Sequence, residues 1–163
     1  MRNLIKTFLV VLMLSFSHAA IANDFEDWNS AIKNIGDFAT ALRRWQPLAE
    51  QGNADAQYNL GYIYSHGKGV EQDYKTAVKW YALAANQGHA IAQLNLGVMY
   101  DNGSGVAQDY VKAHMWWNIA AIDGDADAIK NRDMVTKLMT PAQIEKAQEA
   151  ASKCIKQNFK NCD

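Results

Sequence analysis

The sequence predicts an all-α fold, an α/α superhelical solenoid of stacked helix hairpins with N- and C-terminal capping helices. Three observations predict it. Asp37 to Gln72 and Asp73 to Gln108 align without a gap over 36 residues, with 17 positions identical, where chance would give about two. Glycines recur on the same lattice, as Gly52, Gly88 and Gly124, Gly61 and Gly97, Gly67 and Gly103, and Gly69 and Gly105. Alanines do so as well, in the series Ala41, Ala77, Ala113, then Ala49, Ala85, Ala121 and Ala56, Ala92, Ala128. Such self-similarity marks a repeat array, in which a hairpin buries its apolar face only against its neighbours.

Residues 1–22 read as a cleaved secretory leader. Arg2 and Lys6 supply the positive start, Phe8 to Leu14 is an unbroken apolar run, and Ala20-Ile21-Ala22 offers the small residues that a signal peptidase needs. The apolar run falls well short of the ~18 residues required to cross hydrocarbon. No cysteine follows the cleavage point, so a lipid anchor is not expected. Residues 23–36 are expected to form an N-terminal capping helix, with Phe25, Trp28, Ile32 and Ile35 at helical spacing.

Composition narrows the class. With 49% apolar and 20% charged residues the chain reads as a folded globule. Its 16 basic and 17 acidic side chains leave no electrostatic footprint for a row of phosphates, which argues against a nucleic-acid partner. Beyond the leader the balance is 14 basic to 17 acidic, with no further stretch of transmembrane length. The expected location is therefore the periplasm or the cell exterior, with no membrane insertion after leader cleavage.

Residues 37–140 hold two full units and a degenerate third that begins at Asp109. Asp73 is placed to N-cap a helix carrying Ala77, Tyr81, Ala84 and Ala85, with Gly88 as a left-handed stop. Ala90 to Asn102 is the next helix, with Ala92, Leu96, Met99 and Tyr100 on its apolar face, ending at Asn102-Gly103-Ser104-Gly105. Gly61 and Gly97 lie inside helices, where glycine costs about 1 kcal/mol relative to alanine. Their recurrence predicts close helix contact. Pro47 lacks the amide that would bond the Arg43 carbonyl, so a kink rather than a break is expected, since Leu48 and Ala49 keep the register. The third unit loses its glycine loop. Thr140-Pro141-Ala142-Gln143 instead reads as a capping box with proline at the first helical position, opening a last helix through about Lys156. Residues 141–163 thus form the C-terminal cap and tail.

The run from Ala54 (Ala-Asp-Ala-Gln-Tyr-Asn-Leu-Gly-Tyr-Ile-Tyr), the Gly67-Lys68-Gly69-Val70 loop, Asp73, and Trp80-Tyr81 before Ala84-Ala85 resemble the Sel1-like repeat. That family is a tetratricopeptide-like variant with a longer loop between its helices. The resemblance covers about Asp37 to Thr140, and the Met139-Thr140-Pro141-Ala142-Gln143 segment is similar to the tail of exported bacterial members. It implies an α-solenoid that serves as an adaptor for other proteins, often in envelope regulation or signalling, with no shared catalytic chemistry.

In tetratricopeptide-like units the helix with the Asn-Leu-Gly sequence lines the concave surface. The resemblance therefore implies partner contacts at Asn59, Asn95 and Asn131, with Tyr62, Val98 and Met134 one turn along the same surface. An asparagine carries donors and an acceptor and so can hold an extended backbone without reading its sequence, or else satisfy a neighbouring backbone group within the solenoid. Trp45, Tyr81 and Trp117 are in register and are expected in the core. Trp80 and Trp116, one position earlier than Tyr81 and Trp117, are expected to be partly exposed and to offer an outer contact surface.

Cys154 and Cys162 are the only cysteines. In an exported chain they are expected to pair, within the chain or between chains, and neither their spacing nor any histidine supports a zinc site. His66, His89 and His114 fall at different lattice positions and are expected on the surface or in loops. No metal or cofactor is implied. Ser65-His66-Gly67-Lys68 formally matches the Ser-x-x-Lys nucleophile motif of β-lactam-recognising enzymes, but the Ser-Asp-Asn and Lys-Thr-Gly partners are absent. The expected function is a non-enzymatic interaction module binding an envelope protein or peptide in a concave groove. Its rivals are an envelope hydrolase using Ser65 and Lys68, and a purely structural, self-associating solenoid. The oligomeric state is left open.

Overall fold

The computed structural model describes residues 38–160 and 162. The expected leader (1–22) and N-terminal cap (23–36) lie outside the described residues. The chain divides into two compact units, residues 1–41 and 42–163. Of the first unit only 38–41 are described, as the opening turn of a helix.

Among the described residues there are seven α-helices and no strand: α1 (Phe38–Glu50), α2 (Ala54–His66), α3 (Tyr74–Ala85), α4 (Ala90–Asn102), α5 (Tyr110–Ala120), α6 (Ala126–Thr136) and α7 (Pro141–Lys156). A 3-10 turn, Ala121–Asp123, follows α5. The fold is the expected α/α solenoid. None of these helices is long and apolar enough to cross a membrane.

The sequence lattice reappears as a lattice of caps. Asn53, His89 and Asp125 N-cap α2, α4 and α6, their side chains accepting from the amides of Ala56, Ala92 and Ala128. The Asp73 carboxylate caps α3 as expected, accepting from the amides of Lys75 and Thr76, and Asp109 does the same for α5. At the other end of α2 and α4, Gly67 and Gly103 adopt left-handed φ of 61° and 67° and donate to the carbonyls of Ile63 and Met99. Only glycine takes that conformation without steric penalty. Helix α1 runs unbroken through Pro47.

Packing is tightest within the pairs α2–α3 and α4–α5. The hairpins therefore start at the Asn53 and His89 caps, about half a repeat out of phase with units counted from Asp37 and Asp73. Each closes by laying a ring on a glycine. A Cβ on Gly61 would stand 2.5 Å from the Tyr81 ring, and one on Gly97 2.5 Å from Trp117 Nε1. This is the close approach that the two helical glycines foretell, and Trp45, Tyr81 and Trp117 are all buried as expected.

Successive hairpins are tied by a pair of amides that the sequence reading passed over. Gln57 Nε2 donates to the Ala49 carbonyl at 3.0 Å and Gln93 Nε2 to the Ala85 carbonyl at 3.1 Å, each from a side chain only 3% exposed. Their 36-residue spacing was the available signal. At the third lattice point stands Ile129, which is exposed and has no amide to offer.

The third hairpin does not close. Asp133 occupies the lattice point of Gly61 and Gly97, and Lys153 that of Tyr81 and Trp117, so both the slot and the ring are lost. Helix α7 packs on α5 rather than along α6. It presents small residues, Ala147, Ala151 and Cys154, all buried, and Ala151 and Cys154 share one core cluster with Trp116. Trp116 is thereby corrected from a partly exposed contact residue to a 0% exposed core residue, whereas Trp80 is half-buried. His114 on the same helix is corrected likewise, from a surface or loop position to a buried one. Thr140 and Gln143 form both halves of the expected capping box, with Pro141 at the start of α7.

Cys154 and Cys162 are joined in an intrachain disulfide. The loop it closes carries Phe159, at φ 61°, whose ring lies 3.1 Å from where a Gly88 Cβ would stand. The tail thus reaches back to the α3–α4 turn. Cross-linking a loop this short removes about 2–3 kcal/mol of chain entropy from the unfolded state. Reduction, or Cys162→Ser, is expected to lower the melting temperature accordingly. Equal melting curves with and without reductant would show that the tail adds nothing.

Candidate functional site

An open cleft of about 350 Å³ lies between the C-terminal parts of α2 and α4. Ser65 and His66 reach it from the end of α2, Gln72 and Tyr74 from the following loop and the start of α3, and Tyr81 from α3. Asn95, Val98, Met99 and Asn102 line it from α4, and Ser104 from the loop beyond. No aspartate, glutamate, lysine or arginine is among these residues.

The floor is a hydrogen-bonded set. The buried Tyr81 hydroxyl lies 3.1 Å from Ser65 Oγ, and the Asn95 side chain lines the same space. Burial pushes the Tyr81 phenol well above its usual range, so it serves as an uncharged hydrogen-bonding group. Gln72 Nε2 donates to the Ser65 carbonyl at 2.8 Å and to the Tyr74 hydroxyl at 3.0 Å, fixing the loop against the helix end. Gln108 repeats the bond one unit later, to the Asp101 carbonyl at 2.6 Å.

Ser65 is engaged within its own helix. Its Oγ lies 3.0 Å from the Tyr62 carbonyl and 2.8 Å from His66 Nδ1, and that nitrogen is itself 3.0 Å from the same carbonyl. The bond to the Tyr62 carbonyl is the local contact that a helical serine makes with the preceding turn. Lys68 lies on the exposed loop past the Gly67 cap.

Of the residues expected to contact a partner, Asn95 and Val98 line the cleft. Tyr62 is half-buried and stacks on His66, with ring centroids 4.1 Å apart. Asn59 is 3% exposed and belongs to the buried side of α2. Asn131, half-buried, and Met134, exposed, sit on α6 outside this cleft. The reading of the sequence missed Gln72, Tyr74, Asn102 and Ser104, and weighed Ser65 only as a nucleophile. Gln72 recurs as Gln108, and Asn102 stands at the lattice point of His66, but Ser65 and Ser104 face Asp101 and Lys68 across the lattice, so periodicity gives those two no signal.

Two histidines make the fold sensitive to acid. His89 caps α4 through Nδ1, which accepts from the Ala92 amide at 3.2 Å, while Nε2 lies 3.4 Å from Asp55 and the ring stacks on Tyr58. Burial lowers its pKa, with Asp55 opposing. His114 is lowered by burial and then by Arg132, with Asp133 opposing, and its Nδ1 has no hydrogen-bond partner among the described residues. Both imidazoles are less basic folded than unfolded, so the unfolded chain takes up protons first. Their contribution is complete above the unfolded value of about 6.5 and declines as pH falls below it. A melting series from pH 7.5 to pH 5.5, values about one unit either side of that point, is expected to slope downward. His89→Asn, which restores the cap found at Asn53, should flatten it. An unaltered slope in that variant would clear His89 of the effect.

The geometry agrees with comparisons to known proteins. The Sel1 repeat family profile matches residues 54–89 and 90–125, which are the two closed hairpins with their caps. Among solved structures, the c5321 protective antigen present in uropathogenic Escherichia coli strains, which displays an SLR fold, is 34% identical with a TM-score of 0.71, covering 73% of this chain and 26% of that one. A Sel1 repeat protein from Oxalobacter formigenes is 32% identical with a TM-score of 0.62, covering 71% of this chain and 45% of that one. The chain therefore spans about a quarter of the first and less than half of the second. A search of curated proteins finds no significant match. Repeats of this fold generally serve as protein–protein interaction modules. Residues 54–89 and 90–125 are thus two Sel1 repeats.

Proposed function

We propose that this protein is an exported adaptor, periplasmic or secreted, that holds an extended segment of an envelope protein across the concave face formed by α2, α4 and α6. The observation that carries the reading is the cleft between α2 and α4, where Asn95 and Val98 meet an open, hydrogen-bonding floor. Tyr62 on one side and Asn131 and Met134 on the other would continue the contact, while Asn59, at the lattice point of Asn95, is 3% exposed. Export is supported by the leader-like residues 1–22 and by the Cys154–Cys162 disulfide, a bond that persists in oxidising compartments. With so few repeats the contact area is small, so affinity is expected to be moderate. A role in envelope regulation or signalling follows from the adaptor class rather than from any catalytic group.

Crosslinking in intact cells, followed by identification of captured envelope proteins, tests the proposal. Asn95→Ala combined with Asn131→Ala is expected to reduce capture at unchanged melting temperature. Undiminished capture by that variant would remove the groove from the binding surface.

A further inference from the structure

A side chain that reaches the floor of the α2–α4 cleft leaves water for Ser65, Tyr81, Asn95, Val98 and Met99, while His66, Gln72, Tyr74 and Asn102 form an exposed rim. Among the described residues no carboxylate, ammonium or guanidinium lines the space. An ion seated in it would lose hydration with no opposite charge to replace the water, and hydrogen bonds alone offset that loss incompletely. A neutral backbone or side chain loses little, because amides offer both donors and acceptors. The floor is also set in advance, since Tyr81 is held by Ser65 and the Gln72 amide pins the loop.

We infer that the cleft selects a peptide segment whose central residues are uncharged. This rests on the peptide-binding reading above and adds what that reading leaves open, the chemistry of the segment. Exclusion is the source of specificity: an aspartate, glutamate, lysine or arginine at the centre finds no partner, while serine, threonine, asparagine, glutamine or an aliphatic residue does not need one. The lattice underlines the point, because the second repeat presents Ser104 where the first has Lys68, and it is Ser104 that faces this cleft.

Selection of random peptides displayed on phage against the immobilised protein is the test. Enriched peptides are expected to lack charged residues over a central stretch, and placing a single lysine or glutamate there should weaken binding by about tenfold or more, the scale of one unpaired polar group. Asn102→Asp puts a carboxylate at an exposed point of the lining with almost no change of shape. Selection against that variant is expected to bring lysine or arginine into the centre. Charged centres enriched by the unaltered protein would overturn the inference, as would an Asn102→Asp selection indistinguishable from the original. No enrichment by the unaltered protein would instead remove the peptide-binding reading, and the inference with it.

Discussion

Gly97→Leu is expected to lower the stability of the fold by about 3 kcal/mol or more, the upper range for forcing volume into a packed core. Even the first added carbon has nowhere to go, since a Cβ on Gly97 would stand 2.5 Å from Trp117 Nε1 and 2.7 Å from its Cδ1. The indole cannot simply swing away. Its Nε1–H donates to the Leu94 carbonyl at 3.0 Å, and the ring is buried. Displacing it would break that bond and part α4 from α5. Gly97→Ala sets two effects against each other: alanine gains about 1 kcal/mol of helix propensity, while the clash costs more. A net loss is therefore expected there too, smaller than for leucine. Thermal melting decides, with a fall of about 10 °C expected for Gly97→Leu from the usual entropy of unfolding. An unchanged midpoint would mean that the ring-on-glycine contact does not hold the hairpin.

The equivalent change at Gly61 reaches the candidate site. There the ring is Tyr81, whose hydroxyl meets Ser65 on the floor of the cleft. The packing that closes the first hairpin is thus also what sets the depth of the cleft, and a side chain at Gly61 would be felt by a ligand as well as by the fold.

What could be read in advance was whatever repeats. The two ring-on-glycine hairpins, the Asp73 cap, the bounds of α4 and the burial of Trp45, Tyr81 and Trp117 all follow from lattice positions occupied twice or more. Local chemistry gave the Thr140–Gln143 capping box without help from the lattice, since a cap depends only on its own turn. The path of α7 was hidden for a different reason. In register with its predecessors it would lie along α6, but Asp133 and Lys153 replace the glycine and the ring, and the helix turns onto α5 instead. The burial of Trp116 follows from that turn, which is a tertiary choice written in what the third unit lacks. The cleft was hidden because its lining comes largely from non-equivalent positions of two repeats and the loop between them.

That same turn makes Trp116 the second place where a large loss is expected. Truncating a fully buried tryptophan typically costs about 3–5 kcal/mol, from lost transfer energy and from the cavity left behind. Trp116 is 0% exposed and shares its cluster with Ala151 and Cys154 of α7, so Trp116→Ala should loosen the C-terminal cap and the disulfide-bonded tail together. Trp116→Phe separates volume from polarity. The indole Nε1–H has no hydrogen-bond partner among the described residues, so with respect to them it is a buried donor left unpaired. Phenylalanine removes that donor while keeping most of the apolar bulk, and its cost is expected to be less than half that of alanine. Chemical denaturation of both variants measures the difference. Equal losses would assign the whole effect to shape, whereas a near-neutral alanine variant would show that α7 does not need Trp116 to stay seated on α5.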